Sequence, residues 1–139
     1  MINYNLPKWL TWIFTLIIIE QLLKYFFRIK NLYVKNYGIG LSFFDGFPHI
    51  GLIVGLLSVI LVVMLVYSCY FTRTIYVAMF LSGAISNIID RLIFGYVVDY
   101  INFYIFIANG ADILIFMGCV GLLFQVDKMY QLRENMNYY

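Results

Sequence analysis

Residues Ile50 to Phe71 read IGLIVGLLSVILVVMLVYSCYF, a run of apolar and small side chains without one charge. A helix of roughly 20 such residues spans the hydrocarbon core of a bilayer, so this stretch decides the class of the fold. The rest of the chain agrees. Of its 139 residues 64% are hydrophobic and only 12% charged, and the mean hydropathy is +0.90. A soluble domain of this size needs more polar surface than that. The chain therefore reads as an all-α membrane protein. Its net charge of +2, from 9 basic and 7 acidic residues, is spread along the sequence, without the basic face that phosphate contacts require. Nucleic acid is not an expected partner.

Working outward from that run, hydropathy marks four spans at about 9–27, 50–71, 75–91 and 104–126, in one membrane domain covering 1–139 and closed by a polar tail at 127–139. The first span is interrupted by Glu20, Gln21 and Lys24. It continues into Leu22, Leu23, Tyr25, Phe26 and Phe27 without a small-residue cleavage site, and is expected to be retained rather than removed as a signal sequence. Leu92 to Ile107 is rich in Tyr and Phe, which favour the headgroup zone, and reads as an interfacial or dipping segment. An even number of spans puts both termini on one side. Lys8, Arg73, Lys128 and Arg133 would mark that side as cytoplasmic, yet Arg28, Lys30 and Lys35 make the opposite side no less basic. Cys69 and Cys119 lie in apolar runs with no Cys or His companion, and read as buried thiols rather than a disulfide or metal site.

Polar residues inside spans carry more information than the spans themselves. Glu20 and Lys24 stand four apart with the acid first, the favourable order for an ion pair on one helix face. Ser82 and Ser86 place small residues at helical spacing, a seam along which helices can approach closely, followed by Asn87, Asp90 and Arg91. Asp99, in Val97-Val98-Asp99-Tyr100-Ile101, and Asp112, in Asn109-Gly110-Ala111-Asp112-Ile113, are harder to place. A carboxyl in such surroundings needs a partner, a water-filled cavity or a task, and neither has a basic residue at helical spacing. Brought together, two carboxyls share one proton, giving one acid and one base. That is the logic of aspartic proteases. Two embedded acids can equally belong to a proton or cation path, and residue chemistry alone leaves hydrolysis and ion handling level.

Read in order, Glu20-Gln21-Leu22-Leu23-Lys24, Asn36-Tyr37-Gly38, Asn87-Ile88-Ile89-Asp90-Arg91, Tyr96-Val97-Val98-Asp99-Tyr100 and Asn109-Gly110-Ala111-Asp112 resemble the motif set of the type II, or lipoprotein, signal peptidases. These are four-span bacterial inner-membrane aspartyl peptidases. The resemblance implies Asp99 and Asp112 as a catalytic dyad. Lys24, Asn36, Gly38, Asn87, Asp90, Arg91 and Asn109 become supporting or substrate-binding groups. It further implies a diacylglyceryl-modified prolipoprotein as substrate, cut just before the lipidated cysteine, together with membrane lipid as partner, a monomer, and no metal or organic cofactor. The active site is expected near the outer face, under a small extracytoplasmic β-cradle, with both termini cytoplasmic. His49, the only histidine, reads as an interfacial residue without an acidic orienter. Departures from the pattern are Glu20 in place of Asp, Ser82 and Ser86 in place of two glycines, Gly40-Leu41 after the Asn-x-Gly, and Ala108 before Asn109. The segments from Lys24 to Asn36 and from Asp99 to Asp112 also look short, so the cradle is expected to be reduced. A non-catalytic relative that binds acylated peptides, and a small proton- or cation-handling protein, remain the alternatives.

Overall fold

The computed structural model describes residues 8–38, 48–67 and 75–137. Gly40, Leu41, Cys69, Phe71 and Arg73 lie outside the described residues, as does the side chain of His49. Among the described residues four helices are present: α1 (Lys8–Ile29), α2 (Pro48–Tyr67), α3 (Ile75–Phe94) and α4 (Gly110–Asn137). Within the described residues α1, α3 and α4 as far as Lys128 are long and apolar enough to cross a membrane. Between the helices lie short strands, β1 (Val34–Asn36), β2 (Val97–Asp99), β3 (Ile101–Asn102) and β4 (Ile107–Ala108). β1 pairs antiparallel with β2, and β3 with β4.

α3 is the axis of the bundle and packs against α1, α2 and α4. It is the helix whose side chains are mostly inside, from Val77 and Ala78 through Ser82, Gly83 and Ser86 to Asn87 and Asp90. α1 and α4 instead turn Phe14, Ile18, Leu22, Leu123 and Phe124 outward, as apolar side chains do where the solvent is lipid. Lipid tails give helices no hydrophobic reason to associate, so close approach through small residues must do it. The close approach to α4 runs through Gly83 and Gly118 rather than through the expected Ser82 and Ser86, of which Ser86 meets Gln21 of α1. A Cβ on Gly83 would collide with the Ala111 carbonyl, and one on Gly118 would come within 2.6 Å of the Phe80 backbone nitrogen. Ser82 tucks its hydroxyl onto the Met79 carbonyl at 2.9 Å.

The helix ends facing the strands are closed by local chemistry. α1 stops in a Schellman arrangement, in which the Leu32 N–H reaches the Phe27 carbonyl, the Asn31 N–H reaches the Arg28 carbonyl, and Asn31 takes the left-handed φ of 54°. α3 stops at Gly95, whose φ of 78° lets its N–H return to the Arg91 carbonyl at 3.0 Å.

Three boundaries differ from the sequence reading. The fourth helix begins at Gly110 rather than near Tyr104, because 101–108 form the β3–β4 hairpin. The aromatic composition that suits a membrane interface suits strands equally well. The tail after Asp127 is helical to Asn137 instead of a separate polar segment, and Gln131 donates to Asp127 one turn back at 3.1 Å. α3 also runs on past Arg91 to Phe94.

Gly118→Val should force α3 and α4 apart, lowering stability in detergent by about 1–3 kcal/mol. Leu123→Val, on an outward-facing position, should stay within about 0.5 kcal/mol of the parent. Thermal unfolding of the two variants checks this, and an unchanged midpoint for Gly118→Val would mean that the seam is not closed there.

Candidate active site

Asp112 is placed by the start of α4. Asn109 is the N-cap residue. Its side-chain oxygen accepts the Asp112 N–H at 3.0 Å, while the Asn109 N–H donates to Asp112 Oδ2 at 3.1 Å. This is a reciprocal capping box, in which the cap and the third helical residue satisfy each other's orphan donors. With its carbonyl oxygen so engaged, the Asn109 amide can only offer Nδ2 outward. It does so to Asp99 Oδ1, at 2.6 Å. One residue thus ties the two acids together.

Asp99 is the last residue of β2. Asn36 lies opposite Val97 in the β1–β2 ladder, and side chains two apart on a strand share a face. Asn36 Nδ2 therefore reaches Asp99 Oδ2, at 2.9 Å. The other end of the Asn36 amide accepts the Gly38 N–H at 2.9 Å, closing an Asx turn that ends the strand. Asp99 is only 1% exposed. Burial pushes its carboxyl up to about 6, the hydrogen bond from Asn36 pulls the other way, and the Asp112 charge adds to the rise.

The remaining group comes from α3 and α1. Asn87 Nδ2 donates to Asp112 Oδ1 at 2.9 Å, and its Oδ1 accepts from Lys24 Nζ at 2.8 Å. Lys24 also forms an ion pair with Asp90 at 2.9 Å. Asp90 in turn accepts the Val98 N–H at 3.1 Å, which draws β2 against α3. Arg91 donates to the Gly38 carbonyl at 2.6 Å and to the Asn87 carbonyl at 3.3 Å. Every residue singled out in the sequence, Lys24, Asn36, Gly38, Asn87, Asp90, Arg91, Asp99, Asn109 and Asp112, thus belongs to one connected network.

One expectation is corrected. Glu20 and Lys24 do not bridge each other directly, although they share a face of α1. Lys24 turns to Asp90 on α3, and Glu20 accepts from the Tyr100 hydroxyl at 3.0 and 3.2 Å. In both cases a partner from another segment replaces the neighbour one turn away.

Each of the four oxygens of Asp99 and Asp112 accepts one N–H, three of them from Asn side chains. Among the described residues no cation lies within ion-pairing distance of either acid. Asp112, with Asn87 and Arg91, borders a cavity of about 770 Å³ whose other walls include Phe80, Ile113 and Phe116. Asp99 lies behind this wall. The arrangement can hold one proton deep in the protein and keep a carboxylate at the edge of an apolar chamber.

Sequence reasoning left Gln21 and Tyr100 outside the site. Gln21 binds the Ser86 carbonyl and hydroxyl, both at 3.0 Å, and Asp90 at 3.3 Å. Its signal was a lone amide in an apolar span, which must find a partner. The Asn109-x-x-Asp112 spacing is likewise a cap signature opening an apolar run.

Known proteins similar to this chain fall in one family. The model of the signal peptidase (SPase) II family matches residues 5–127. The lipoprotein signal peptidase of Bartonella henselae is 37% identical over 106 residues, covering 67% of this chain and 63% of that protein. That of Buchnera aphidicola subsp. Baizongia pistaciae is 36% identical over 115 residues, 73% and 69% of the two. That of Wigglesworthia glossinidia brevipalpis is 29% identical over 123 residues, 81% and 80% of the two. The chain thus spans less than two thirds of the Bartonella protein and four fifths of the Wigglesworthia one. Among solved structures, a bacterial membrane enzyme determined by the in meso method superposes with a TM-score of 0.71 over 98% of this chain and 94% of that one, at 20% identity. It supports the fold alone. On the family match and these relatives, the chain belongs to the signal peptidase II family.

Proposed function

We propose that this protein is a membrane-embedded aspartyl endopeptidase that removes the signal peptide of diacylglyceryl-modified prolipoproteins, cutting just before the lipidated cysteine. The observation that carries the reading is the Asn109 bridge, which joins Asp99 to Asp112 beside the cavity. Asp112, at the cavity wall, acts as the base. It takes a proton from water as the oxygen attacks the scissile carbonyl carbon. Asp99, whose burial favours the protonated form, comes forward through the cavity wall when substrate binds and donates a hydrogen bond to the carbonyl oxygen as it becomes an oxyanion. The tetrahedral intermediate collapses by breaking the C–N bond, and the proton held by Asp112 passes to the departing amine.

The apolar walls of the cavity suit the side chains of a signal peptide or an acyl chain. The chain acts as one membrane domain of four crossings in the bacterial inner membrane. Both termini are cytoplasmic, the dyad lies near the outer face, and a monomer carries the whole site. A proton or cation path would string its acids along the bilayer normal. Asp99 and Asp112 instead lie together, on a strand and a helix start that share the cap residue.

Asp99→Asn and Asp112→Asn should each reduce cleavage of a lipid-modified prolipoprotein in liposomes by at least about a thousandfold, as loss of one member of a paired catalytic unit does, without unfolding the protein. Full activity in either variant would remove the dyad assignment. A second outcome concerns pH. The Asp99 proton persists up to about 6, so turnover that needs it is retained at lower pH and lost as pH rises through an apparent value that belongs to the pair. Because the Asn36 hydrogen bond favours the ionised form, Asn36→Ala should move this alkaline limb to higher pH. A pH–rate profile with the limb unmoved would count against Asp99 as the proton holder.

A further inference from the structure

Glu20 is a buried acid for which the proposed chemistry has no use. It is 3% exposed, and Lys24, the cation on its own face, is engaged with Asp90. Its two carboxylate oxygens share the single O–H of Tyr100, and the carboxylate also accepts a backbone hydrogen bond from Ala111, in the first turn of α4. The Tyr100 hydroxyl in turn accepts the Gly110 N–H at 3.1 Å. The ring of Tyr100 lies flat on Phe27, with centroids 4.4 Å apart and planes 6° from parallel. Its backbone N–H donates to the Ala108 carbonyl at 3.0 Å. There is no slack in this cluster. A Cβ on Gly110 would collide with the Glu20 carboxylate and stand 2.8 Å from the Tyr100 oxygen.

The placement gives the cluster its meaning. Tyr100 directly follows Asp99, and Gly110 and Ala111 are the two residues between Asn109 and Asp112. The contacts from Glu20 and Tyr100 therefore hold the same two segments that Asn109 joins, and anchor them on α1. We infer that Glu20 and Tyr100 form a positioning bracket that sets the separation of Asp99 and Asp112. The inference rests on the aspartyl peptidase reading. A hydroxyl that donates to a carboxylate and accepts from an amide is polarised from both sides, and in a low-dielectric interior such a chain is stiff and directional. Misplacement of reacting groups by about 1 Å can cost about a hundredfold in rate, so a bracket of this kind acts on turnover before it acts on binding.

The test uses the full chain in liposomes with a lipid-modified prolipoprotein. Tyr100→Phe keeps the ring on Phe27 and removes only the hydroxyl. It should lower kcat by about ten- to a hundredfold with KM within about twofold, and with a thermal midpoint close to that of the parent. Gly110→Ala, which pushes on the same two groups from the other side, should show the same split. Glu20→Ala should match Tyr100→Phe. The double variant Glu20→Ala with Tyr100→Phe should lose no more than the worse single one, because both break one link. Glu20→Gln keeps an acceptor oxygen for Tyr100 and should recover most of the turnover. Wild-type kcat in Tyr100→Phe, a loss confined to KM, strict additivity in the double variant, or Glu20→Gln as damaging as Glu20→Ala would each overturn the bracket.

A parent chain without turnover would reject the peptidase reading instead, and the bracket would then be judged on the Asp99 titration followed by its infrared carboxyl band. Asp99 titrates under the charges of Asp112 on α4, Lys24 on α1 and Arg91 on α3. A change in its separation from Asp112 should move the midpoint by more than about half a unit in Tyr100→Phe. An unmoved midpoint would overturn the proposal.

Discussion

The ion pair between Lys24 and Asp90 is the contact on which the rest of the molecule depends. Its nitrogen and oxygen are 2.9 Å apart, and both side chains are at most 2% exposed. Removing either partner of such a pair leaves an uncompensated buried charge, typically about 3–5 kcal/mol of destabilisation. The bundle therefore closes only in the arrangement that brings α1 and α3 together at this level. Each partner then has a second task. Asp90 accepts the Val98 N–H, which fixes β2 and with it Asp99. Lys24 donates to Asn87 Oδ1, which turns the Asn87 amide so that Nδ2 faces Asp112. One buried pair therefore orients the surroundings of both acids without touching either.

The choice of partners around those acids follows a complementary rule. Lys24 is spent on Asp90, and Arg91 on the carbonyls of Gly38 and Asn87. The direct hydrogen bonds to Asp99 and Asp112 come from the neutral amides of Asn36, Asn87 and Asn109 and from one backbone N–H. A guanidinium in bidentate contact would hold a carboxylate ionised at any working pH. An amide satisfies the oxygen and holds its direction while still allowing the group to carry a proton. Structural charge and titratable charge are thus kept on separate residues, although they sit only one asparagine apart.

Much of this was legible in one sequence. The uncharged run from Ile50 to Phe71 and its neighbours reveal a helical membrane protein by composition alone, and the embedded Asp99 and Asp112 stand out because their surroundings are costly for a charge. The partners were less visible. Lys24 meets Asn87 across 63 residues and Tyr100 meets Glu20 across 80, and a single sequence ranks the i, i+4 neighbour above any such contact. The pairing of Glu20 with Lys24 was therefore reasonable and wrong. The late start of α4 was hidden for another reason. Ile101 to Ala108 is as apolar and aromatic as a span. The turn that makes it a hairpin depends on Tyr104 at a φ of 66° and on Asn102 accepting the Tyr104 N–H at 2.8 Å; Asn is a turn former, but one Asn in an apolar, aromatic run is outweighed by its hydropathy.

The same hairpin bears on how a short connection between Asp99 and Asp112 serves the site. On the proposed reading, a site that activates water beside a bilayer must admit one water and exclude the rest, and the segment from Asp99 to Asp112 has few residues with which to do it. β3 and β4 are two residues each. Even so, Phe103 and Phe106 pack against each other with centroids 5.0 Å apart and planes tilted by 36°, and both border the cavity that Asp112 faces. Two aromatic rings on a minimal turn cover as much apolar surface as a longer aliphatic loop, at a smaller cost in conformational freedom per contact. The Tyr100–Ala108 and Ile101–Ala108 pairings tie the base of the turn directly to the residue before the α4 cap. The cover over the cavity and the geometry of the two acids are therefore set by the same few hydrogen bonds, so a compact connection between Asp99 and Asp112 serves both.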